Sequence, residues 1–359
     1  MKTKNYYLLL LGLAVTVFSC KKNEVPAPAL PNNPEAQFSG APTGLPRLSV
    51  ITIAGGSFYN DFGYVDGPGA QARFHDPMGI DLMDDGTIYV ADRTNNKIRK
   101  ISPLKVVSTI PIPNSGTQTL EQPRKVRVLA DGTINIIEQE HDGDATTKKV
   151  WILRPGGQLI TPAYHDVNYH YFDLVRNPYT NYMFMCGVAP VYINGTTEYN
   201  YKGSLEKFIL NSAATIIGKD AYTPPVDSLN AYDKTNPFFT AMYCGYNNVK
   251  YLAINRSLYK LTPLGVFTEI YRGLIPTIIN DIIVTKDSRT IYLCVDNGIY
   301  SLYNNTVTRL VGMHEELHGK DGIGRDADVH PLFFALSKDE STIYFSDYGN
   351  NSIRKLILR

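Results

Sequence analysis

Two stretches of this chain, one near each end, spell the same unit. Asp66-Gly-x-Gly-x-x-Ala72 leads to Asp85-Gly-Thr-Ile-Tyr-Val-Ala-Asp92 and then to Asn95-Asn-Lys-Ile-Arg-Lys-Ile101. Asp321-Gly-x-Gly-x-x-Ala327, Ser341-Thr-Ile-Tyr-Phe-Ser-Asp347 and Asn350-Asn-Ser-Ile-Arg-Lys-Leu356 repeat that order. The runs are rich in β-branched residues and Tyr, and Asp-Gly or Asn-Asn pairs separate them, as in antiparallel hairpins. No segment keeps a helical period over a dozen residues, so the chain reads as all-β. Weaker copies fill the interior: Asp131–Ile137 with Lys149–Pro155, Tyr182–Cys186 with Leu205–Leu210, Val249–Ile254 with Ser257–Pro263, and Thr290–Asp296 with Gly298–Leu302. That makes six units over about 310 residues, near 50 per unit, the length of a four-stranded sheet.

The last unit ends at Arg359 after its third strand, and Val50-Ile-Thr-Ile-Ala-Gly-Gly56 carries the missing outer-strand pattern. The N-terminal strand is therefore expected to complete the last sheet and shelter its open edge. These motifs resemble the NHL repeat over nearly all of residues 49–359, most closely in the first and last units. The resemblance implies a six-bladed β-propeller of four-stranded blades over residues 48–359.

Ahead of the repeats, Lys2 and Lys4 precede an apolar run, Tyr6 to Phe18, too short to span a bilayer stably. It ends in Val17-Phe18-Ser19-Cys20, which resembles the lipobox of bacterial lipoproteins, so residues 1–19 read as a signal peptide and Cys20 as the lipidated first mature residue. Lys21 after the cysteine is similar to outer-membrane sorting signals. Residues 20–47 hold Pro26, Pro28, Pro31, Pro34, Pro42 and Pro46 with few large apolar residues, a composition suited to a semi-extended tether. The expectation is a monomer on the outer membrane, facing the periplasm or the cell surface, of the kind found among NHL-repeat lipoproteins of Gram-negative bacteria. Lys and Arg number 35 against 34 Asp and Glu, a net charge of +1, so no basic surface argues for nucleic acid. Cys186, Cys244 and Cys294 lie in apolar runs and read as buried thiols.

In the implied propeller, second-to-third-strand hairpins and outer-to-inner crossings share one face, and the insertions gather there. Residues 189–202 read as a stretched hairpin with Tyr192, Tyr199 and Tyr201, and residues 218–238 as a stretched crossing with Tyr222 and Tyr232. Residues 140–144, Glu-His-Asp-Gly-Asp, add a third elaboration, and Asp227-Ser228-Leu229 resembles an acceptor of O-glycosylation. Long loops on a rigid scaffold commonly carry binding function, and Tyr, 25 of 359 residues, pairs flat apolar area with a hydroxyl. The five loop tyrosines are candidate contacts for a glycan or an envelope protein. Tyr89, Tyr292 and Tyr344 read as strand residues.

An alternative is enzymatic. His75 and His330 share a register just before the innermost strand, and Asp92 and Asp347 both end the second strand. Some propellers of related repeat type are metal-dependent lyases or lactonases, so these four are candidate ligands or acid–base groups of a lyase or hydrolase at the channel mouth. Equally, the aspartates can open the Asn-containing turns. His314-Glu-Glu-Leu-His318 spells a zinc-peptidase signature, but that chemistry needs a helix and the repeat places the motif in a loop. His314, His318 and His330 remain candidates for a divalent metal; no other cofactor is expected.

Overall fold

The computed structural model describes residues 45–56, 58–116, 119–138, 149–165, 170–178, 183–192, 199–210, 216–222, 237–272, 278–296, 298–312 and 319–359. The paired strands fall into six antiparallel sheets, four of four strands and two of five. From the inner strand outward, the first sheet runs Pro77–Leu82, Ile88–Asp92, Lys97–Ile101, Val106–Ile110, with Gly67–Pro68 on its rim. The second runs Pro123–Val128, Ile134–Glu138, Lys149–Leu153, Leu159–His165, and the third His170–Arg176, Met183–Tyr192, Tyr199–Leu210, Ile216–Tyr222. The fourth comprises Phe239–Cys244, Lys250–Ile254, Ser257–Leu261, Phe267–Arg272, and the fifth Ile279–Val284, Thr290–Val295, Gly298–Tyr303, Thr306–Gly312. The sixth is Pro331–Leu336, Thr342–Asp347, Ser352–Ile357, then Ser49–Gly55 and the short Gly322–Ile323. Among the described residues the helical segments are two single 3-10 turns, Gly324–Asp326 and Tyr348–Asn350, and no helix is long and apolar enough to cross a membrane.

The inner strands pack in a circle, each on that of the next sheet, and Pro331–Leu336 packs back on Pro77–Leu82. This is a β-propeller. Its core is a set of apolar wedges between adjacent sheets: Ala91, Val126, Ile136 and Trp151 lie between the first and second, and Val50, Cys294, Phe345 and Leu356 between the fifth and sixth. A sheet buried on both faces needs apolar residues on both, which is why alternation is weak in its middle strands. Tyr89, Tyr292 and Tyr344 pack at the edges of these wedges as strand residues do.

The N-terminal strand closes the ring. Val50 pairs with Leu356, Ile51 with Lys355 and Thr52 with Arg354, and Leu48 N–H already donates to Ile357 O at 2.7 Å. The strongest motif explains itself as a staple. In the first sheet the buried Arg99 donates to Asp92 at 2.6 Å, to Asp66 at 2.6 Å and to the carbonyls of Val65 and Arg73, while Asp66 accepts from Thr109 N–H and hydroxyl. In the sixth sheet Arg354 repeats this with Asp347 at 2.6 Å, Asp321 at 2.8 Å and the carbonyls of Lys320 and Asp328, and Asp321 accepts from Thr52 N–H and hydroxyl. The loop before each sheet is thus bound across it to its outer strand. Asn96 and Asn351 hold the left-handed backbone of the adjoining turns at φ 56° and 51°, a conformation Asn tolerates. The second sheet keeps the device in other residues: Trp151 Nε1 donates to Glu138 at 2.6 Å, which also accepts from Glu121 N–H at 2.9 Å.

Candidate functional site

On the crossing face, the four residues of the enzymatic alternative serve the staple. Asp92 and Asp347 are fully buried, each bonded to its arginine. Each also accepts the backbone N–H of the sheet's histidine, His75 or His330, at 2.8 Å, and the amide of Asn95 or Asn350. Burial pushes the Asp92 carboxyl up, against the opposing pull of Asn95, the His75 amide and Arg99. The imidazoles do not reach these carboxylates. That of His75 stacks on Phe62 at 4.4 Å between centroids, and that of His330 lies edge-on to Tyr348 at 6.2 Å. In the structure both carboxylates are engaged in fixing turns. Among the described residues, no three His, Cys, Asp or Glu side chains gather where they could hold a metal.

The described parts of the tyrosine insertions are strands. Tyr192 pairs with Tyr199, and Pro190 with Tyr201, so residues 189–192 and 199–202 extend a β-ladder, and residues 193–198 lie outside the described residues. Runs of Tyr and Val favour that extension. Tyr222 belongs to the outer strand, paired with Leu205, and the crossing begins after it. Tyr232, His314, His318, residues 140–144, Asp227–Leu229 and Cys20 lie outside the described residues.

The crossing from the sixth sheet into the first carries a feature that sequence reasoning missed. Phe58, Tyr59, Phe62, Tyr64 and Val65 are 56, 59, 51, 52 and 46% exposed, within the eight residues 58–65. The loop is nevertheless tied down. Asp61 pairs with Arg73 at 2.5 Å, Gly63 N–H donates to Phe74 O, and Asn95 and Asn351 amides donate to the carbonyls of Gly63 and Tyr59 at 2.7 and 2.8 Å. Tyr64 OH meets Thr109 Oγ1 at 3.1 Å, and Arg99 lies 5.0 Å from its ring. The signal was the spacing Phe58-Tyr-x-x-Phe62-x-Tyr64 in a segment too polar elsewhere to be core.

At the centre of the ring, every inner strand carries a β-bulge near its start. The bulge sets which residue follows on the channel side. In order round the ring these are Gly79, Lys125, Asp173, Ala241, Asp281 and Phe333. Lys125 Nζ lies 3.0 Å from Asp173 and 2.9 Å from Asp281, with none of the three side chains more than 3% exposed. Asp173 also accepts from the amides of Leu174 and Met242, and Asp281 from those of Ile282 and Phe334. The Phe333 ring covers the ammonium at 3.9 Å. Gly79 leaves the room: a Cβ there would lie 2.6 Å from Lys125 Cα. Arg124 sits over the Phe172 and Phe333 rings, each at 5.3 Å, where loss of hydration lowers its pKa to about 10.

Beyond this ion cluster, on the face of the first-to-second-strand turns, opens a cavity of about 780 Å³ to which all six sheets contribute. Two residues past the channel ring, the equivalent positions are Asp81, Arg127, Val175, Tyr243, Ile283 and Ala335, and all six line it. Asp81 is occupied by Val128 N–H at 2.7 Å and by Arg176 at 3.0 Å. Arg127 donates through Nη1 to the carbonyls of Ile80 and Val126 at 2.7 and 3.0 Å. At the rim, Lys338 pairs with Asp84, Lys286 N–H donates to Glu340, and Tyr246 is 43% exposed. The cavity lies on the face opposite to the insertions.

No protein-family model matches the chain, and no curated protein matches its sequence. Solved structures match its fold. An auxiliary nutrient binding protein from Bacteroides thetaiotaomicron superposes with a TM-score of 0.61 at 13% identity, over 86% of this chain and 76% of its own. A protein of unknown function from the same organism gives 0.59 at 16%, over 86% and 75%. A gluconolactonase from Xanthomonas campestris gives 0.53 at 7%, over 86% and 89%. The chain is thus similar in fold to propellers that bind and to propellers that catalyse.

Proposed function

We propose that this chain is an envelope lipoprotein, held in the outer membrane through Cys20 as a monomer, whose six sheets form the blades of an NHL-type propeller. Its crossing face binds a glycan or a protein partner. The observation that carries this reading is the loop of residues 58–65, which exposes four aromatic rings although its backbone is bonded in place. Aromatic side chains ordered in advance lose little entropy on binding, and their flat faces suit both sugar rings and protein anchors. Tyr192, Tyr199, Tyr201 and Tyr222 belong to elements that open on the same face and, with Tyr232, are proposed as further contacts. The fold similarity to nutrient-binding propellers supports the reading as a likeness in architecture.

The test is a triple variant, Phe58→Ser/Tyr59→Ser/Phe62→Ser, compared with the parent chain on an array of plant and host oligosaccharides and in crosslinked pull-downs from the envelope. Retention on at least one probe is expected to fall about tenfold or more, with the melting temperature nearly unchanged. Full retention on every probe would remove this loop from the interface. For the anchor, Cys20→Ala should abolish labelling by a radioactive fatty acid; undiminished labelling would refute it.

A further inference from the structure

On the opposite face, the cavity over the Lys125 cluster has a composition that points to its own ligand. A pocket of about 780 Å³ lies within the range of small-molecule sites. Such sites combine apolar walls with a few convergent polar groups, and the ring of equivalent positions has that make-up. Val175, Ile283 and Ala335 are apolar, and Asp81 is engaged with Arg176 and Val128. Arg127 and Tyr243 are left.

Arg127 is held by its Nη1 group, which donates to two carbonyls on neighbouring inner strands. That fixes the guanidinium plane. Its Nε–H and Nη2–H, the edge that accepts a carboxylate by two parallel hydrogen bonds, have no partner among the described residues. Asp281, an acidic group of the same wall whose carboxyl feels the Arg127 charge, has its two oxygens occupied by Lys125 and the amides of Ile282 and Phe334. The Tyr243 hydroxyl likewise has no partner among the described residues, while its ring packs in the wedges between the fourth, fifth and sixth sheets. At the mouth, the exposed Tyr246 ring offers a flat surface, with Lys286 Nζ 5.8 Å from its centroid. A fixed cation with a free fork, a lone hydroxyl and an aromatic rim match an anionic, hydroxylated small molecule.

We propose that this cavity binds a small organic carboxylate of sugar-acid size, its carboxylate paired with Arg127 and a hydroxyl bonded to Tyr243. This goes beyond the crossing-face reading and stands or falls separately from it, since the two sites lie on opposite faces.

The experiment is titration calorimetry on the full chain in detergent, with D-glucuronate, glucose, acetate and inorganic phosphate as separate probes. Glucuronate should bind, acetate more weakly, and glucose and phosphate weaker still. Arg127→Gln should lower glucuronate affinity by at least about tenfold, the loss typical of a charged hydrogen-bonded pair. Because Arg127 also ties two strands, Tyr243→Phe serves as the second variant: it keeps the packing, removes only the hydroxyl and should cost a few-fold. Absence of binding by any carboxylate, equal binding of glucose, binding of phosphate without carboxylates, or wild-type affinity in both variants would each overturn the proposal. Crossing-face binding that survives Arg127→Gln would leave the other site intact.

Discussion

Lys125 holds one ammonium between two carboxylates, and none of the three groups meets solvent. Such a cluster is stable only while every member is present, because removing one leaves an uncompensated buried charge. Lys125→Met is expected to destabilise the fold by about 3–5 kcal/mol near pH 7. Burial already pushes the Asp281 carboxyl up, opposed by Lys125. A raised carboxyl binds more protons folded than unfolded, so its contribution to stability is present below the ordinary carboxylate value and is lost as pH rises through the raised one. Without the ammonium that rise is larger, so the deficit of the variant should shrink as pH falls toward about 5. Urea unfolding of both proteins at the two pH values measures it; an equal deficit at both would mean that the carboxylates are not its cause. These residues were illegible in the sequence because they come from three separate strands that only the closed ring brings together, and Lys125 meets Asp281 across 156 positions. Arg127 was missed for the same reason. By contrast, Asp66, Asp92 and Arg99 were visible as a motif, because all three recur with the same spacing in Asp321, Asp347 and Arg354.

At the scale of the element, the staple explains why the first and last units keep the motif. Each fastens an outer strand through an Asp that is about half exposed: the side chains of Asp66 and Asp321 are 45% and 46% accessible. Asp66→Ala and Asp321→Ala should therefore cost modest and similar amounts, about 1–2 kcal/mol each after solvent screening. The buried Asp347→Asn should cost more, since it leaves Arg354 partly uncompensated in the interior. Thermal unfolding of the three variants checks the order, and a larger loss for Asp321→Ala than for Asp347→Asn would reverse the account. Strand existence and the closing role of Ser49–Gly55 followed from alternation and repeat counting. The bounds of the third sheet did not. Its hairpin was read as stretched over residues 189–202, whereas Ala189–Tyr192 and Tyr199–Lys202 continue the two strands as a paired ladder, a matter of register that composition does not reveal.

For the molecule as a whole, the described residues form five apolar wedges between neighbouring sheets, so no sheet can open alone without exposing part of a neighbour's core. Three thiols report on this. Cys186, Cys244 and Cys294 are free and buried in three different sheets, and burial pushes all three up, Cys244 to about 11. Their reactive thiolate forms are thus suppressed near neutral pH. A thiol reagent applied to the native protein should label the three at one common slow rate, that of global unfolding, as mass spectrometry of the labelled peptides can show. Separate rates would reveal sheets that open independently.

The seam in the sixth sheet has a consequence for how such a chain is made. Thr52 meets its partner Asp321 across 269 positions, and Ser49–Gly55 can pair with Ser352–Ile357 only once nearly the whole polypeptide has been delivered. A ribosome or a secretion channel delivers the N-terminal end first. The earliest strand to emerge is therefore the last to be used, and the ring cannot lock while its C-terminal sheet is still in transit. Such high sequence separation slows folding. Closure is thus timed by the arrival of Ser352–Ile357.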